Sequence, residues 1–120
     1  MIIYFTASVS QKPRFLANYL AIINLLRNEG HQVIADHIIE MSEKQISLQA
    51  RESRIEFHEK VQNWIQGCDF MIAETSFPST SIGYEVAHAL RVGKPVLVLY
   101  SLGEAPSILG QHKDEKLVCE

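Results

Sequence analysis

The chain has 120 residues, of which 47% are hydrophobic and 21% charged, the balance of an ordinary globular domain rather than of a disordered, collagen-like or coiled-coil chain. A domain of this size buries about two-thirds of the surface its unfolded form exposes, enough to fold as one unit over residues 1–120 without disulfides or a structural metal. A formal net charge of −3 gives no broad electrostatic footprint for duplex nucleic acid or for an anionic membrane, so any bound anion must be held locally.

Ile2 to Thr6 is a short apolar run of the kind that forms a strand buried on both faces. It lacks a basic n-region and passes at once into Thr6-Ala7-Ser8, so the expectation is that it is not a signal peptide and that the location is cytoplasmic. From Pro13 to Glu29 the residues Phe15, Leu16, Tyr19, Leu20, Ile23 and Leu26 recur at helical spacing, with Gly30 as the stop. The apolar stretch from Phe15 to Leu26 is interrupted by Asn18 and Asn24 and is too short to span a bilayer. Gln32 to Asp36 reads as a second strand, and Glu40 to Ser53 as a polar loop or weak helix. Ile55, Val61, Trp64 and Ile65 mark a second long helix ending at Gly67. Cys68 to Ala73 reads as a third strand, Ile82 to Val92 as a third long helix, Pro95 to Tyr100 as a fourth strand and Lys116 to Cys119 as a fifth. Helix-length crossovers imply right-handed connections and a parallel sheet covered on both faces, a doubly wound α/β fold. Cys68 and Cys119 are far apart and have no zinc-type spacing, so they read as reduced thiols, and the five histidines show no metal-ligand pattern.

In such a sheet ligands bind beyond the carboxyl ends of the strands. The richest segment leaving those ends is Glu74-Thr75-Ser76-Phe77-Pro78-Ser79-Thr80-Ser81-Ile82-Gly83-Tyr84-Glu85. Its hydroxyls and glycine precede a helix, where free N–H groups and the dipole favour an anion, although a plain N-cap is the simpler reading of the same hydroxyls. Glu85 is placed in the first turn of that helix, where the dipole would keep it ionised; it is then a nucleophile for a sugar carbon, or merely an acidic first-turn residue. Asp36-His37 leaves the second strand and fits either a site or a solvated turn. His88 reads as a surface helix residue. There is no GxxxxGK[ST] or GxGxxG loop, and Thr6-Ala7-Ser8 stands where a phosphoacceptor receiver domain needs an acidic pair.

Several motifs together resemble the nucleoside 2-deoxyribosyltransferase family: Ile3-Tyr4-Phe5 with Ser8, Asp36-His37, Trp64 with Asp69, Ala73-Glu74, Pro78-Ser79, Gly83-Tyr84-Glu85 with Ala89, and Gly93-Lys94-Pro95-Val96-Leu97. Within that family they are similar to the branch of 2'-deoxynucleoside 5'-monophosphate N-glycosidases. The resemblance implies a flavodoxin-like three-layer sheet of about five strands in the order 2-1-3-4-5, and a homodimer. It further implies a deoxynucleotide or nucleoside as small-molecule substrate, with no metal or other cofactor. It makes Glu85 the nucleophile, sets Tyr4 beside the sugar, and assigns phosphate-holding hydroxyls to Ser8 and Ser79, with Ser107 a match for a serine from the neighbouring subunit. Asp36, His37, Ser81 and Gly83 complete the expected binding set.

The chain departs from the family at three places. Val61 stands where the family has an aspartate that orients the sugar and protonates the base; His58, one helical turn earlier, is a candidate substitute, though a solvated boundary histidine is the simpler reading. Ser81 replaces a glycine, which would strain the turn if positive φ is required there. Ser10 replaces a basic residue near the phosphate, for which Lys12 or Arg14 could compensate. Relatives continue into a further helix beyond the fifth strand. Three functions follow: hydrolysis or transfer at the N-glycosidic bond, nucleotide binding without chemistry, or an interaction scaffold.

Overall fold

Five short segments with strand propensity pair in parallel in the order β2-β1-β3-β4-β5 in this computed structural model, which describes residues 1–9, 12–40, 51–77, 79–101 and 116–120. In chain order the elements are β1 (Ile2–Thr6), α1 (Lys12–Asn28), β2 (Gln32–Ile34), α2 (Asp36–Glu40), α3 (Arg51–Gly67), β3 (Phe70–Glu74), α4 (Thr80–Arg91), β4 (Val96–Leu99) and β5 (Leu117–Cys119). The expected α/β architecture and strand order are therefore present.

Side-chain alternation along the strands divides the core in two. Ile3, Phe5, Val33 and Ile72 pack with Phe15, Tyr19 and Ile23 of α1 on one face. Tyr4, Met71, Ala73, Val96 and Val98 pack on the other with Val61 and Ile65 of α3 and Ile82, Val86 and Ala89 of α4. Both α1 and α4 end in a Schellman closure at a glycine of positive φ, where a Cβ would be strained. At Gly30 (φ 90°) the N–H of His31 reaches Leu26 and that of Gly30 reaches Arg27; at Gly93 (φ 82°) Lys94 reaches Ala89 and Gly93 reaches Leu90.

Several boundaries differ from the sequence reading, α4 beginning at Thr80 and β4 spanning Val96–Leu99 among them. The second strand stops at Ile34, because the amides of Ile38 and Ile39 turn back onto the carbonyl of Ala35 and open α2 instead. The third strand runs from Phe70 to Glu74, since Cys68 and Asp69 form a bend in which the Cys68 thiol donates to the Ile65 carbonyl. Within the segment from Glu40 to Ser53, α2 reaches Glu40 and α3 begins at Arg51; residues 41–50 lie outside the described residues. Among the described residues no helix is long and apolar enough to cross a membrane, and both cysteines are free thiols.

Candidate active site

The chain moves from β1 outward to β2 and then returns past β1 to β3, so the strand order reverses beside β1. That is the position where a doubly wound sheet opens a crevice. Tyr4 lies in the middle of β1, and its alternation turns the ring to the α3/α4 face, where it is fully buried. Its hydroxyl donates to Glu85 Oε1 at 3.1 Å and lies 3.1 Å from His37 Nε2. With Glu85 ionised, the single phenolic proton goes to the carboxylate and the imidazole donates its Nε2–H to the phenolic oxygen. Nδ1 of His37 is then an acceptor, and it is buried without a hydrogen-bond partner among the described residues. The Tyr4 and His37 rings are parallel, 3° apart in plane with centroids at 5.4 Å, and Trp64 closes on both.

Glu85 is the sixth residue of α4, one turn beyond the placement expected from the sequence. Its environment corrects the expectation of a readily ionised carboxylate. Burial pushes its pKa from 4.5 up to about 7, against the opposing hydrogen bonds from Thr6 and Tyr4. At this depth the loss of solvation outweighs a helix dipole whose influence fades within the first turn. Burial also lowers His37 to about 4, and it raises Tyr4 well above its ordinary value, helped by the negative charge of Glu85. Near neutral pH the cluster therefore holds a neutral imidazole, a neutral phenol and a carboxyl balanced between its two forms.

Two cavities meet at Glu85. The smaller, about 260 Å³, is lined by Thr6, Ser8, His37, Ser79, Ser81 and Glu85 among others. The larger, about 550 Å³, has apolar walls from Phe57, Val61 and Ile65 and polar groups from Arg54, His58, Gln62, Tyr84 and His88. Phe57, Ser81 and Glu85 border both. The arrangement offers a carboxylate at the junction between a small hydroxyl-rich chamber and a wide, mainly apolar one, the geometry needed to grip a ligand by two unlike ends.

The sequence-named residues divide as follows. Tyr4, Ser8, His37, Ser79, Ser81 and Glu85 are brought together around the smaller cavity or in contact with it, and His58 lines the larger one, exposed, with its ring 5.4 Å from that of Tyr84. Ser8 is buried, and its carbonyl accepts from the Tyr19 hydroxyl at 3.2 Å. Ser79 is the N-cap of α4, its Oγ accepting from the Ile82 amide at 3.4 Å, so the capping role holds while the residue also lines the cavity. Asp36 is exposed and borders neither cavity, and Gly83 lies within α4 facing open space. The strain expected at Ser81 is absent: no non-glycine residue among those described has positive φ. His37 is buried, which removes the solvated-turn reading for it. Ser10 and Ser107 lie outside the described residues.

No family profile matches the chain. Over 98 residues it is 32% identical to the 5-hydroxymethyl-dUMP N-hydrolase of Rattus norvegicus, a match that covers 82% of this chain and 60% of that protein. Over 103 residues it is 31% identical to a protein of Methanococcoides burtonii provisionally named 2'-deoxynucleoside 5'-phosphate N-hydrolase 1, covering 83% of this chain and 80% of the relative. The chain belongs to the 2'-deoxynucleoside 5'-phosphate N-hydrolase family. It spans just over half the length of the rodent members, 60% in rat and 56% in Mus musculus. The fold of the family is shared with a 2-deoxyribosyltransferase of Bacillus psychrosaccharolyticus, at TM-score 0.70 and 19% identity over 87% of this chain and 75% of that one. A CMP N-glycosidase of Clostridium botulinum follows at TM-score 0.58 and 18% identity, over 87% and 72% respectively.

Against the family pattern, Val61 is almost completely buried, packs in the core beside Tyr4 and Ile65, and presents a hydrocarbon to the larger cavity. Three residues at this site escaped the sequence reading. Thr6, taken only as a strand end, hydrogen-bonds Glu85. Phe57 walls both cavities and approaches His37 at 6.1 Å. His88, read as a surface residue, lies in the larger cavity with Nε2 buried and unpartnered among the described residues. Its spacing of three from Glu85 on one helix is the signal that would have found it.

Proposed function

We propose that this chain hydrolyses the N-glycosidic bond of 2'-deoxynucleoside 5'-monophosphates, with Glu85 as nucleophile. The observation that carries the reading is the placement of Glu85 at the junction of the two cavities, its Oε1 held by the Tyr4 hydroxyl at 3.1 Å. The sugar phosphate occupies the smaller chamber, with Ser8 and Ser79 as phosphate partners and the N-terminus of α4 favouring the anion. The base occupies the larger one.

The ionised Glu85 attacks the anomeric carbon as the C–N bond breaks, the bonding pair leaves with the base, and the base takes up a proton. Water then attacks the same carbon, releasing Glu85 and a deoxyribose 5-phosphate. Transfer to a second base would replace the water. Tyr4 orients the carboxylate, and His37 holds Tyr4. His58 is the candidate proton donor in place of the family aspartate, since Val61 has no proton to give. Asp36, Ser81, Gly83 and Ser107 remain proposed binding residues, Ser107 acting across a homodimer interface. A cytoplasmic location accords with a nucleotide substrate.

Incubation with deoxynucleoside monophosphates should release free base, measured by chromatography, and Glu85→Gln should abolish the release. No base from any deoxynucleotide, or undiminished release by the variant, refutes the mechanism. Val61 itself favours a second reading, a nucleotide binder without chemistry. Val61→Asp separates the two: a site lacking only its acid gains at least tenfold in rate, whereas a binding module stays inert.

A further inference from the structure

A third cavity lies on the opposite side of the sheet. Glu74 ends β3, and strand alternation sets it on the α1 face with Phe70 and Ile72, away from Glu85. It is only 5% exposed. Oε1 accepts from the Ser76 amide at 2.8 Å and from the Ser76 hydroxyl, while Oε2 is buried with no hydrogen-bond partner among the described residues. Glu74 lines a cavity of about 300 Å³ whose wall also includes Asn18, Ala21 and Ile22 of α1, Leu99 and Glu120. Among the described residues no lysine, arginine or histidine borders it, so the described wall carries two carboxylates and no cation. The field of Glu74 is felt nearby: the Tyr19 phenol is pushed up to about 12, by burial first and by this negative charge second.

A buried carboxylate oxygen without a partner is costly, and a ligand that supplies a positive charge and an N–H donor offsets that cost. We infer that this cavity binds a primary ammonium group carried on a short alkyl chain. Glu74, Asn18 and Glu120 set oxygen acceptors on the wall of the cavity for the N–H groups, and Ala21, Ile22 and Leu99 provide the hydrocarbon wall for the chain. A hard divalent cation fits less well, because it demands six or more oxygen ligands, and no group of three His, Cys, Asp or Glu suited to a metal occurs among the described residues. The other oxygen of the same carboxylate holds Ser76, whose hydroxyl in turn accepts from the Ser101 amide at 2.9 Å. The amides of Ser76 and Ser101 therefore report occupancy.

The test is a titration of the full chain with n-butylammonium chloride, followed at those two amides by NMR, beside a titration with tetramethylammonium chloride, which has the charge but no N–H. Saturable shifts are expected with butylammonium alone. Binding should weaken at least tenfold in Glu74→Gln and in Ala21→Phe, which fills the cavity from an exposed helix position and leaves the core intact, and it should persist in Glu85→Gln. The inference is overturned by an absent saturable response, by an equal response to tetramethylammonium, by retention in both cavity variants, or by loss in Glu85→Gln, which would move the binding to the other face of the sheet.

Discussion

Replacing Glu85 with glutamine should destroy activity and yet stabilise the protein in alkaline solution. Glu85 has its pKa raised by burial from 4.5 to about 7. At about 1.4 kcal/mol per tenfold change in proton affinity, holding it ionised in the folded chain costs on the order of 3 kcal/mol. The folded state keeps this proton after the unfolded state has lost it, so the associated stability is fully present below pH 4.5, declines as pH rises, and is gone above about 7. Glutamine does not titrate. Its NH₂ would stand where Oε2 is buried without a partner, a penalty of about 1 kcal/mol. Glu85→Gln should therefore exceed the parent in unfolding free energy by about 2 kcal/mol at pH 8 and match it or fall slightly below at pH 5. Urea denaturation at the two pH values measures this, and the protonation of His37 is common to both proteins and cancels. A difference between variant and parent that is the same at both pH values would refute the assignment of a buried, high-pKa carboxyl.

Three further outcomes are expected. Tyr4→Phe removes a charge-assisted hydrogen bond to Glu85, so the acid limb of the kcat/KM profile should move up by roughly one pH unit; an unmoved limb would show that Tyr4 does not act on the nucleophile. Ser79→Ala should lower stability by about 0.5–1 kcal/mol through the lost cap and should raise KM for a nucleoside monophosphate while leaving that for the nucleoside unchanged, as steady-state kinetics on the pair would show. Gly30→Ala should cost about 1 kcal/mol in chemical denaturation, because φ there is 90°, with kinetics unaltered.

Much of the fold could be read from local pattern. Continuous apolar runs marked the strands, a period near 3.6 marked α1, α3 and α4, and glycines marked two of the helix ends, because all three signals reflect interactions between residues close in the chain. The same locality explains the boundary errors at Asp36 and Cys68, where the backbone bonds that end a strand depend on its neighbours. The motif around Glu85 was the most specific part of the family resemblance, and it supplies Ser79, Ser81, Ile82 and Glu85 to the wall of the smaller cavity.

The pairing of Tyr4 with His37 had no sequence signal of its own, and the closeness of Tyr4 to Glu85 was implied only by the family resemblance. These residues are 33 and 81 positions apart, and only the order β2-β1-β3 brings them into contact. Burial decided the electrostatics as well. A carboxylate at a helix start reads as ionised from position alone, whereas the packed Glu85 holds its proton to about pH 7, because desolvation is a property of the surroundings and not of the residue. Composition and periodicity determined which elements form and which face each one buries, while tertiary packing determined which side chains meet and in what protonation state, since contact and solvation across the sheet are set by parts of the chain far removed in sequence.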